Sequence, residues 1–186
     1  LNEFGDFYLQ IEKGVFHTSA EYRFIVEGDI PAMTYSIPED GRDWINHSGK
    51  GVTINASSNV VTIKDGIGVT NTGTGSITIN ATNLIHGGFG QTDTTDETNG
   101  IYAWNKEPAT KDIILNVADV IGYTEAIWID NSGTGDVIIN SSGSITGGRG
   151  NSTDTKLIPG IVVINEALAS NVKIDVKNVT GNHDVI

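Results

Sequence analysis

The chain has 186 residues, with 11 Lys and Arg against 23 Asp and Glu, a formal net charge of -12 at pH 7. A surface this acidic repels phosphate backbones and anionic headgroups, which argues against nucleic acid and anionic lipid as partners. Cysteine is absent, ruling out a disulfide framework or a thiolate metal site, and no apolar run approaches the length of a membrane span.

Residues 1–43 form a first region, rich in aromatic residues and punctuated by Gly28, Pro31 and Pro38. Phe7-Tyr8-Leu9-Gln10-Ile11 and Tyr22-Arg23-Phe24-Ile25-Val26 read as strands between these turn markers. A stack of repeats exposes an apolar end and an unpaired strand edge, and terminal segments of different sequence cover both. Residues 1–43 are accordingly expected to be an N-terminal β cap.

From Trp44 to the C-terminus the chain repeats. Gly68 to Gly90, GVTNTGTGSITINATNLIHGGFG, returns at Trp128 to Gly150 as WIDNSGTGDVIINSSGSITGGRG, 60 residues on, with ten of 23 positions identical. Weaker copies bring the unit starts to Trp44, Gly68, Tyr102, Trp128 and Val162, spaced 24, 34, 26 and 34 residues apart. Short runs with period-two alternation recur in each unit and predict strands that bury one face.

About 24 residues with three short strands per unit predict an all-β fold, a right-handed parallel β-helix over residues 44–186. Equivalent positions then stack into interior ladders. One is Val52, Ile77, Ile113, Val137 and Val172; a second is Ile54, Ile79, Leu115, Ile139 and Ile174. The third is expected to be Ile63, Ile85, Val120, Ile145 and Val179. Asn55, Asn80, Asn116, Asn140 and Asp175 follow the second ladder and predict a corner row of stacked amides, of which the sequon-like triplets at Asn55, Asn80 and Asn140 are by-products.

The two 34-residue units owe their length to insertions after Gly-Gly, Gln91–Asn99 and Asn151–Pro159. Insertions in a stacked repeat map to loops on one face, so these two should project side by side with one unit between them. Each follows a different projecting residue, Phe89 in one copy and Arg149 in the other. Aromatic and arginine side chains are common interface anchors. With Asp93, Asp96, Glu97 and Asp154 around them, Phe89 and Arg149 form the expected partner-binding residues, suited to a basic patch.

No catalytic constellation accompanies this pattern. His17, His47, His86 and His183 are scattered singly, and His47 falls at the repeat position of Asn131. The glycines at 87–90 and 147–150 resemble the start of a calcium-binding nonapeptide, but the following aspartates arrive late and the two copies are 60 residues apart, not nine. No catalytic residue, metal ligand or cofactor is therefore expected.

NTGTGSITIN, NSGTGDVIIN, SITGG and G-I-x-x-x-N (Gly100-Ile101 to Asn105, Gly160-Ile161 to Asn165) together resemble the passenger domain of a Gram-negative type Va autotransporter, most of all passengers of the Bartonella type. The resemblance covers residues 44–186 and its motifs are structural, so no functional residue carries over. It implies a secreted or surface-displayed virulence protein and adhesin that binds a host cell-surface receptor or extracellular matrix. The group includes a proangiogenic factor that engages a vascular endothelial growth factor receptor, which makes angiogenesis one expected outcome. The signal peptide and membrane-anchoring barrel that such proteins require are not in the chain, so it reads as a piece of a longer passenger. The alternatives are a β-helical polysaccharide lyase or hydrolase, and a structural spacer stalk.

Overall fold

Alternation of apolar and polar residues favours strands, and no helix occurs among the described residues. The computed structural model describes residues 8–10, 22–26, 33–37, 43–47, 51–57, 59–91, 98–148, 158–166 and 170–182, the four segments before residue 48 by their backbone alone. The strands are β1 (Tyr8–Gln10), β2 (Tyr22–Val26), β3 (Met33–Ile37), β4 (Asp43–His47), β5 (Val52–Ala56), β6 (Val60–Val61), β7 (Ile67–Asn71) and β8 (Ile77–Ala81). They continue as β9 (Ile85–His86), β10 (Ile101–Asn105), β11 (Ile113–Val117), β12 (Val120–Ile121), β13 (Ile127–Asn131), β14 (Val137–Thr146), β15 (Ile161–Asn165) and β16 (Val172–Thr180).

All pairing among the described strands is parallel, and the inner strands pair with their counterparts in the units before and after them. One sheet runs β15-β13-β10-β7-β4-β2. The other begins β1-β3-β5-β8-β11-β14, then returns through β12, β9 and β6, with β16 also on β14. The ten-residue β14 links its two halves: Ser141 and Ser144 bracket an irregularity in pairing with β16, so one strand serves two rows. The expected unit starts fall in register, Trp44 on Gly68, Gly68 on Tyr102, Tyr102 on Trp128, and Trp128 on Val162.

The first two predicted ladders are the pairs seen. Val52, Ile77, Ile113, Val137 and Val172 are register partners, and so are Ile54, Ile79, Leu115, Ile139 and Ile174. Ile54, Ile79, Leu115 and Ile139 are all fully buried, each contributing about 1.5–3 kcal/mol. The second sheet adds an inward row that the repeat alignment did not single out: Ile67, Ile101, Ile127 and Ile161. At the end of the stack Val172 is 44% exposed, since no described strand lies beyond β16.

The third ladder needs one correction. Val60, not Ile63, pairs with Ile85, and Ile63 is 43% exposed. The Asn59 carboxamide oxygen accepts the Leu84 N–H at 3.2 Å, which sets β6 one step after Asn59 and pushes Ile63 past the strand into the turn. The expected amide row also lies elsewhere than at a corner. Asn55, Asn80, Asn116 and Asn140 are the fourth residues of strands whose second and fourth positions face outward.

Upstream, β2 pairs with β4 and β3 with β5, in the same two sheets as the repeats, and β1 adds to β3. The backbone of residues 22–26 and 33–37 thus places strands under the first unit, Arg23 on Trp44 and Tyr35 on Ile54.

The ladder assignment has a direct check. Ile79→Asp and Ile139→Asp each put an unpaired charge into the packed interior at a cost of several kcal/mol. Both should collapse the melting transition, whereas Ile63→Asp should melt within a few degrees of the parent chain.

Candidate functional site

The Gly-Gly positions decide where the two insertions leave the stack. Gly87 N–H donates to Ile121 O and Gly122 N–H to Thr146 O, so Gly87, Gly122 and Gly147 occupy one corner in consecutive units. Gly88 and Gly148 then turn out with φ of 71° and 72°, a left-handed backbone that glycine adopts without strain. A Cβ on Gly88 would collide with Tyr123 of the intervening unit. Each turn is tied back to the shorter unit before it, Gly88 N–H to Lys64 O and Gly148 N–H to Thr124 O, both at 2.7 Å.

The returning ends are also anchored. Asn99 N–H donates to the buried Asp65 carboxylate at 2.7 Å, Thr98 N–H to Thr124 Oγ1 at 3.1 Å, and Ile158 N–H to Asn182 Oδ1 at 2.7 Å. The roots of both insertions therefore sit at equivalent places with one unit between them. Of the expected partner-binding residues, Phe89 stands at the first root, 56% exposed, with its ring edge-on to His86 at 5.3 Å. Asp93, Asp96, Glu97, Arg149 and Asp154 lie outside the described residues.

Two amide ladders run through the described units. The outward one passes Nδ2 to Oδ1 from Asn80 to Asn55, from Asn116 to Asn80 and from Asn140 to Asn116, at 2.9–3.0 Å. Asp175 registers with Asn140 but carries no amide hydrogen to continue the chain. The second ladder is buried, at the last positions of β7, β10, β13 and β15. Asn71 donates to Asn105 at 3.3 Å, Asn105 to Asn131 at 3.2 Å, and Asn131 to Asn165 at 3.0 Å. Asn71, Asn105 and Asn131 are fully buried and also donate to Gly75 O, Lys111 O and Gly135 O, closing the turns that follow them. His47 registers with Asn71, continuing the row by backbone position.

The outward side of β10, β13 and β15 presents a different set. Tyr102, Trp128 and Val162 form one row; Trp104, Asp130 and Ile164 form the next. Trp104 Nε1 and Asp130 Oδ1 are each shielded from solvent without a hydrogen-bond partner. The Lys106 ammonium lies 5.2 Å from the centre of the Trp104 ring, a cation–π contact. Burial, and next the Glu166 carboxylate, raise the pKa of Asp130 above its ordinary value.

Sequence reasoning passed over this set. Tyr102 and Trp104 alternate with buried residues like any strand pair, and only the register brings Asp130 beside Trp104. A further hollow of about 480 Å³ is lined by Asn116, Asn140, Ser142 and Asp175 among others. It offers amides, hydroxyls and one carboxylate. No cluster of three or more His, Asp or Glu able to hold a metal occurs among the described residues. The chain matches no protein-family model, no curated protein and no solved structure.

Two expectations follow from these contacts. Asn105→Ala takes from the buried Lys111 carbonyl its side-chain donor and breaks the amide ladder between Asn71 and Asn131, each of which keeps its own turn contacts, at a cost of about 1–3 kcal/mol. Asn116→Ala, on the exposed ladder, should cost under about 1.5 kcal/mol by the same denaturant titration. For Asp130 the sign is the reverse of a stabilising carboxylate. Its raised folded-state pKa gives a penalty absent in acid and complete above that pKa. Asp130→Asn should therefore be more stable than the parent chain at neutral pH, the advantage vanishing as pH falls below the ordinary carboxylate value.

Proposed function

We propose that the chain is a right-handed parallel β-helix with a β cap over residues 1–43, and that it works as the passenger of a type Va autotransporter. It is secreted or displayed at a bacterial surface, where it binds a host cell-surface receptor or extracellular matrix without acting as an enzyme. The receptor version of this reading points to the vascular endothelial growth factor receptor class.

One observation carries it: the two insertions are rooted at the same corner, at Gly87–Gly88 and Gly147–Gly148, with one unit between them. The strand ladders on either side are held by packing and leave little freedom for side chains to vary. Insertions on such a scaffold are where binding residues concentrate. The exposed Phe89 supplies an apolar anchor at the first root. Asp93, Asp96, Glu97 and Asp154 supply negative charge to steer a basic partner, and Arg149 a second anchor.

The test replaces residues 91–99 and 151–158 with short Gly-Asn turns, confirms folding by melting, and measures binding to endothelial cells. Loss of binding, with the parent chain weakening as salt rises, is the expected result. Unchanged binding at both low and physiological salt removes this corner and directs attention to residues 1–43.

A further inference from the structure

The outward face of β10, β13 and β15 carries a donor and an acceptor that the chain itself does not satisfy. Trp104 and Asp130 are register partners on adjacent strands. The Trp104 indole N–H has nothing to donate to, and Asp130 Oδ1 accepts nothing. Unmade hydrogen bonds of shielded groups cost free energy, so a pair at one register position needs a reason. Tyr102 and Trp128 form the adjoining row, half-buried, with Gly68 before them and Val162 after.

Asp130 and Glu166 make this face negative, on a chain already at -12. Anionic ligands are therefore disfavoured. A cationic ligand would pair with Asp130 but would face both the indole N–H and the Lys106 ammonium with its own positive charge. A hydroxyl group suits both atoms, because it donates and accepts at once. Aromatic rings beside it present negative π faces to the weakly positive C–H groups of a sugar ring. Three strands at about 4.8 Å spacing, with outward side chains about 7 Å apart along each strand, give a patch the size of one or two sugar rings.

We propose that the outward face formed by Tyr102, Trp104, Trp128 and Asp130 is a binding site for a neutral hexopyranose oligosaccharide. A sugar hydroxyl donates to Asp130 Oδ1 and accepts from Trp104 Nε1, while Tyr102 and Trp128 stack against the ring. Lys106, exposed and lying over the indole, is the side chain displaced when the ligand enters. The site lies on the sheet, apart from the insertion corner, and stands or falls independently of receptor binding there.

The test titrates the 186-residue chain with maltohexaose, cellohexaose and N-acetylchitohexaose, by tryptophan fluorescence and calorimetry. At least one is expected to bind at millimolar concentration or below. Trp104→Phe keeps a ring and loses the N–H; Asp130→Asn keeps an oxygen and loses the charge. Each should weaken binding about tenfold, while Ile63→Ala, at an exposed turn with no part in either site, leaves it unchanged. Asp130→Asn is the variant expected to stay folded, so a fall in its affinity cannot come from unfolding. The proposal is overturned if none of the three sugars binds, or if binding survives Asp130→Asn and Trp104→Phe intact. It is equally overturned if a polylysine peptide binds this face and the sugars do not.

Discussion

The structure depends on amides that are buried in an apolar interior and have nowhere to bond but up and down the stack. Asn71, Asn105 and Asn131 are fully excluded from solvent. A carboxamide in that position is costly unless each unit presents another at the same height. The ladder does so, and each amide also closes its own turn. A one-residue slip of any strand would break this chain of bonds. It would also turn Ile101, Ala103 and their partners outward and bury Tyr102, Trp104 and Asp130. Register is thus fixed twice, by polar satisfaction and by the apolar face.

Much of this was legible in the sequence because period two is a strong signal and the units are long enough to align. The ladders through Ile54 and Val52, the unit starts and the outward asparagines could be written down from the 60-residue offset. Ile63 could not be placed, because its unit lacks the glycine that follows the third strand in the others, Gly87, Gly122, Gly147 and Gly181; Thr62 and Ile63 simply extend the apolar run. The buried amides were visible as identities, Asn71 with Asn131, and as the last residue of G-I-x-x-x-N. Their burial was not, since an asparagine at a strand end reads equally well as a turn residue. The Trp104–Asp130 neighbourhood joins residues 26 apart in units of low identity, which no local pattern reports.

The Gly-Gly corner reconciles a rigid stack with insertions of about ten residues. Gly87 and Gly122 keep the backbone bonds of the ladder, while Gly88 and Gly148 turn away in a conformation that side chains resist. In the units without insertion, the same corner is crossed by Thr62 to Gly66 and by Gly122 to Ala126, and the buried Asp65 and Thr124 then receive the returning ends at Asn99 and Thr98. Short and long units alternate, and the two short units together supply the polar groups that close the long unit between them. The second insertion returns instead onto Asn182 of the unit that follows it.

The two amide ladders run in opposite senses. The outward one passes its hydrogen bonds from later units to earlier ones, the buried one from earlier to later. Between them they hold both sheets, and neither draws on the outward positions of β10 and β13. At those positions other units carry Trp44 and Asn46, Gly68 and Thr70, and Val162 and Ile164, so stacking itself does not require an aromatic or an acid at either. The indole of Trp104 and the carboxylate of Asp130 have no aromatic or acidic counterpart in the other units of their row. The aspartate is moreover held where its charge is disfavoured, beside an indole N–H without a partner. A position that the stack leaves open to a small residue is filled here by the side chains on which the proposed sugar site rests.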